Sequence, residues 1–238
     1  MKKALSLALS LALCLGLFSG CGNNSQSGSN SASSSGAEAT QTKTVTWANS
    51  SDITSLDPRN GNSTITASIL ASLYSTLVKT DPTGQIVCDA AESYEQVDDT
   101  TWHFVLRDDV YFTNGVQMTA EDVAYTINSL RDTDKHYALS GDFSFMQVET
   151  LGDFEFNIIT DYPFPSLPLR LNYIKIIPSA YVQEVGDEAF AAAPVGSGPF
   201  KFVSWDKDQK VVMEKNPDYY GEVPQIDQLI YEVIPEAA

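Results

Sequence analysis

"AESYEQVDDTTWHFVLRDDVYFTNGVQMTAEDVAYTINSLRD", Ala91 to Asp132, changes its hydrophobic period part-way along. Two extended stretches are divided at Asp98-Asp99, and in the second Trp102 and Phe104 alternate with His103, the period of a strand. Asn114-Gly115 supplies the positive backbone angles of a tight reversal. Thr119 then begins a helix, with Asp122 placed to reach back as the shorter analogue of a capping-box glutamate, and Val123, Ile127 and Leu130 form the face to be buried. Every part of this stretch is explained by backbone chemistry, so it reads as scaffold.

Outward from it the same mixture continues. Upstream, "TVTWA" (Thr44 to Ala48) is a strand, "SSDITSLDPRNGNS" an irregular loop, and "TITASILASLYSTLV" a helix with Ile65, Ile69, Leu70, Leu73 and Leu77 on one stripe. Downstream, "FSFMQVETLGDFEFNIIT" gives two strands about Gly152-Asp153. "DYPFPSLPLRLN" reads as extended, "YIKIIP" as a strand, and "SAYVQEVGDEAFAA" as helix with a turn at Gly186. Phe200 to Trp205 pairs with Lys210 to Lys215, and Gln228 to Ile234 is a last strand. Tyr219 and Tyr220 of "NPDYYG" read as a turn packed on the base of the fold. Without a strict strand-helix repeat, the class is mixed α/β of the α+β kind.

The chain has 238 residues, 43% of them hydrophobic, and a formal net charge of -17. That balance excludes nucleic acid as a partner, because phosphate binding needs a basic stripe. It leaves small solutes and neutral or cationic partners, or simply an acidic, soluble surface. "MKKALSLALSLALCLGLFSGC" has two lysines, an apolar run and small residues before Cys21, which predicts an export signal over residues 1–20. Gly22 to Lys43, rich in Ser, Gly and Asn, predicts a flexible tether.

Catalytic and metal chemistry find no machinery. His103 and His136 are the two histidines, and no second ligand stands at metal spacing. In "VGSGPF" the glycines immediately flank Ser197, unlike a nucleophile elbow, and their role reads as relief of backbone strain at a turn into a strand. Carboxylates are scattered through turns and caps. No catalytic residue, metal ligand or cofactor is therefore assigned. Cys14 falls inside the signal, leaving Cys88 as a free, packed thiol.

Three stretches carry a resemblance: Ala91 to Asp132 as quoted, "PVGSGPFKFVSWDKDQKVVMEKNPDYYG" (Pro194 to Gly221), and "SLDP" (Ser55 to Pro58). Together they resemble the family 5 bacterial extracellular solute-binding proteins, the oligopeptide-, dipeptide- and nickel-binding lipoproteins of ABC importers. "FSGC" likewise resembles a bacterial lipobox, which implies lipid attachment at Cys21 and a membrane-anchored protein outside the cytoplasmic membrane, at the cell surface or in the periplasm. The resemblance implies a type II periplasmic-binding-protein-like fold and a two-lobed receptor that delivers a solute to a membrane permease. Family members run to about twice this length, so it places in residues 44–238 the first lobe, with a subdomain inserted over about 78–178 and the second lobe missing.

The implied cargo is a small peptide, with nickel, heme or sugar as alternatives. Cleft contacts are expected at Asn62 and Ser63, at Tyr137 of the inserted part, and at Asn172 and Tyr173, each of which ordinary loop polarity or packing would also explain. Two other classes stay open. A lipid-anchored surface enzyme such as a hydrolase would lose turnover on replacement of one Ser or Asp, and a truncated remnant would bind a partner without solute.

Overall fold

The computed structural model describes residues 42–61 and 63–235, so the export signal, Cys21, most of the tether and Asn62 lie outside the described residues. In chain order, β1 (Thr44–Asn49) leads through a short 3-10 turn (Pro58–Asn60) into α1 (Thr64–Leu73). Next come β2 (Val78–Thr80), β3 (Ile86–Cys88), β4 (Ala91–Gln96), β5 (Thr101–Leu106) and α2 (Ala120–Ser129). They are followed by α3 (Ser140–Phe143), β6 (Met146–Thr150), β7 (Glu155–Thr160), α4 (Leu167–Leu171), α5 (Ser179–Val185) and α6 (Asp187–Ala192). The last three are β8 (Phe200–Asp206), β9 (Lys210–Lys215) and β10 (Gln228–Val233).

Two four-stranded sheets result, one ordered β1-β10-β9-β8 and one β4-β5-β7-β6, with β2 and β3 as a separate pair. The first unites the two ends of the described chain: β1 runs parallel to β10, Trp47 opposite Tyr231, and their rings stack at 5.7 Å. Parallel pairing requires a long crossover, and here everything between residues 49 and 228 is that crossover. Leu56, Ile69, Leu70, Phe190 and Met213 belong to the apolar core on this sheet, whereas Phe104, Phe112, Ile127, Phe156 and Ile176 belong to a second core on the other.

The stretch from Ala91 to Asp132 folds as its hydrophobic periods dictate. Trp102, Phe104 and Leu106 are buried along β5, alternating with half-buried neighbours. Gly115 has φ +83° in the reversal. Val123, Ile127 and Leu130 are buried. Asp122 does more than cap: one carboxylate oxygen accepts the Thr119 amide at 2.9 Å, and the other accepts both the amide and hydroxyl of Ser179 at 2.8 Å. One buried side chain thus joins the start of α2 to the start of α5. At its far end α2 presents Asn128, whose amide pairs with the main chain of Val148 and covers the edge strand β6.

Three local expectations change. The helix ends at Leu73, because Tyr74 is extended and Ser75 and Thr76 turn their hydroxyls onto the carbonyls of Ser197 and Val78; Leu77 is buried, but in the other core. Residues 167–171 are helical, since a proline in the first turn, here Pro168, removes an amide that has no helical acceptor anyway. "YIKIIP" makes a single bridge, Lys175 to Thr76, and no strand.

Candidate functional site

A groove of about 300 Å³ opens between α1 and the short helices α3 and α4. One side is Pro58, Gly61 and the start of α1 at Ser63, Thr64 and Ala67; the other is Leu139, Phe143, Arg170, Tyr173 and Lys175, with Asp142 at the rim. Ser63 caps α1, its hydroxyl accepting the Thr66 amide at 3.1 Å. That cap fixes where the helix begins, and so sets one wall of the groove.

A buried charge network adjoins this wall. Arg59 is 2% exposed, and its guanidinium grips Asp57 through Nε and Nη2, the shortest contact being 2.7 Å. The same Nη2 reaches Asp187 of α6 at 2.8 Å. Asp187 also accepts Lys135 at 2.9 Å and the Tyr137 hydroxyl at 3.0 Å, and the Tyr137 ring lies under the guanidinium at 4.2 Å. Burial alone would raise the Asp187 pKa, but the bonds from Lys135 and Arg59, the Arg59 charge and the Tyr137 hydroxyl outweigh it and hold the carboxyl down at about 2. Main-chain bonds complete the tie, Leu139 donating to the Arg59 carbonyl at 3.0 Å. The network fixes the 3-10 turn, the loop before α3 and α6 against one another, and it leaves the groove's shape preset.

Of the expected contacts, Ser63 and Tyr173 stand on opposite sides of the groove, and Tyr173 is 55% exposed. Tyr137 is buried in the charge network, with its hydroxyl committed to Asp187. Asn172 closes α4 and turns its carbonyl towards Lys175 at 3.5 Å. Asn62 lies outside the described residues. Arg59, Asp187, Arg170 and Lys175 are not among the contacts expected from the sequence. The Asp57-x-Arg59 spacing was visible, but the partner of Arg59 is 128 positions away. Lys175 carried no signal, because "YIKIIP" read as an ordinary strand.

The remaining motifs are structural. Ser197 is buried, its hydroxyl 3.4 Å from the Ser75 amide. Gly196 and Gly198 serve close approach rather than relief of strain: a Cβ at either would stand 2.0 or 2.6 Å from the Leu73 carbonyl group. His103 meets Asn157 across the strands at 3.2 Å, and Cys88 is free and half-buried. Tyr220 packs under Arg107, 5.2 Å from ring to guanidinium, on the core of the β4-β5-β7-β6 sheet and not on that of the sheet holding β1 and β10.

The family sequence model described as bacterial extracellular solute-binding proteins, family 5 Middle, matches residues 85–238. This chain belongs to that family. The family 5 chain is 30% identical over 176 residues to the oligopeptide-binding protein AppA of Bacillus subtilis, a match covering 69% of this chain and 32% of that protein. It is 31% identical over 170 residues to the nickel-binding periplasmic protein of Escherichia coli, again 69% and 32%. It spans about a third of the length of these curated relatives.

Two solved structures align with TM-scores of 0.75. They are the binding protein MoaA of A. tumefaciens R10 with mannopinic acid, at 30% identity over 82% of this chain and 42% of that one, and B. subtilis AppA with a nonapeptide, at 26% identity over 81% and 40%. The family 5 chain therefore has the mixed α/β fold of periplasmic binding proteins, as a partial lobe of them.

Proposed function

We propose that this chain is the solute-capturing first lobe of a lipid-anchored binding protein that hands small peptides to the permease of an ABC importer. The observation that carries the reading is the groove between α1 and the short helices α3 and α4, open, adjoined by the Arg59 network and lined by polar and apolar residues with one exposed tyrosine. Peptide recognition suits such a surface, since backbone bonds and roomy, hydrated side-chain pockets tolerate varied sequence. Support also comes from the relatives, whose names include an oligopeptide-binding protein and a di/tripeptide-binding protein.

A receptor works through differential affinity between open and closed forms and requires no reactive side chain. In this reading Cys21 carries the lipid, residues 22–43 are the tether, and residues 44–238 hold the lobe with its insertion over about 78–178. The test is to purify the full product of the gene and identify by mass spectrometry the small molecules that leave with it on denaturation. Short peptides that rebind saturably and unchanged are expected. Conversion of an added peptide to products would overturn the reading in favour of an enzyme.

A further inference from the structure

The wall of the groove formed by α4 and the segment after it is basic, in a chain whose formal net charge is -17. Lys175 is half-buried, and its ammonium reaches only main-chain oxygens, those of Asn172 at 3.5 Å and Tyr173 at 3.4 Å. Among the described residues it forms no ion pair, whereas Arg170, the other cation lining the groove, stands 3.8 Å from the Asp142 carboxylate. A cation removed from water is normally matched by a carboxylate. Burial lowers its pKa to about 8, so it is charged in most molecules at neutral pH and short of partners.

Arg170 lies beside it on the same wall. Its guanidinium sits over the Phe143 ring at 4.7 Å and touches Asp142 only loosely, 3.3 Å from the carbonyl and 3.8 Å from the carboxylate. Among the described residues Asp142 is the one carboxylate lining the groove, and it is 70% exposed. Two cations against one solvated anion leave the lining positive by one charge. The positive end of the α1 dipole borders the facing wall at Ser63 and Thr64, adding to the same potential.

We propose that the groove contains a carboxylate subsite, in which the Lys175 ammonium and the Arg170 guanidinium hold the anionic end of the solute. This rests on the groove being the solute site, and it goes further by naming the group held and the residues that hold it. A singly charged carboxylate balances the lining, whereas a phosphate dianion would leave surplus negative charge next to Asp142.

The test uses the full gene product and two pools of dipeptides to pentapeptides, alike except that one ends in free acids and the other in amides. Calorimetry should show the acid pool bound about tenfold or more tightly, the scale of a charged hydrogen bond to a poorly solvated partner. Lys175→Gln should reduce that ratio below about threefold. Asp142→Asn, which removes the opposing charge, should widen it, a gain that misfolding cannot mimic. Inorganic phosphate should displace the acid pool no better than chloride. Equal binding of the two pools by the wild type, a ratio untouched by Lys175→Gln, or displacement by phosphate would overturn the carboxylate subsite while leaving peptide capture standing. Binding of neither pool would overturn both.

Discussion

Replacing Asp187 by Asn tests whether the buried network presets the groove. The asparagine keeps the shape but removes the charge that Arg59 and Lys135 share, at 2.8 and 2.9 Å. A carboxyl held at about 2 instead of its ordinary 3.8 corresponds to about 2.5 kcal/mol of stabilisation. The side chain is 31% exposed, and solvent screening brings the expected loss to about 1.5 kcal/mol.

The sign follows from linkage. The folded pKa lies below the unfolded one, so this stability is fully present above the unfolded value and is lost as pH falls from there through the folded value. Urea unfolding of wild type and variant should therefore differ by about 1.5 kcal/mol at pH 7, with the gap closing between roughly pH 4 and pH 2. A gap that stays constant down to the lowest pH at which both fold would refute the electrostatic account and leave only a packing defect.

Other perturbations have equally definite outcomes. Asp122→Ala strips the acceptor from the Thr119 and Ser179 amides; with buried donors left unpaired it should cost about 2 to 4 kcal/mol in a denaturant titration. Gly198→Ala would push a methyl against the Leu73 main chain at 2.6 Å, which cannot rotate away, and should lower stability by about 1 to 3 kcal/mol; an unchanged melting curve would show that the contact relaxes freely. Cys21→Ser should move the protein from the membrane fraction to the medium or periplasm, and a variant still sedimenting with membranes would end the lipid-anchor proposal.

How much of this was legible beforehand depended on distance along the chain. The strand over Thr101–Leu106, the Asn114-Gly115 reversal and the Thr119–Asp122 helix start are set by neighbours within a few residues, and all three were readable. Where local signals competed, the reading failed. Prolines at 163, 165 and 168 suggested an extended segment, yet Pro168 falls in the first turn of α4, where it is harmless. Leu77 continued the stripe of α1, but Ser75 and Thr76 offered the backbone hydroxyl partners that stopped the helix first. Ser63 and Tyr173 could be placed on loops, whereas their meeting across one groove, and the Arg59–Asp187 bond behind it, depend on segments more than a hundred positions apart. Lys175 is unusual because, among the described residues, no acid folds back onto it, which no local pattern encodes.

Hydrogen exchange on the full gene product, with and without the free-acid peptide pool, tests solute capture by this lobe most directly. Added peptide should slow exchange around residues 58–67, 137–143 and 170–175 and leave the sheet β4-β5-β7-β6 unchanged. Protection confined to other surfaces, or none at peptide concentrations that saturate binding, would contradict it.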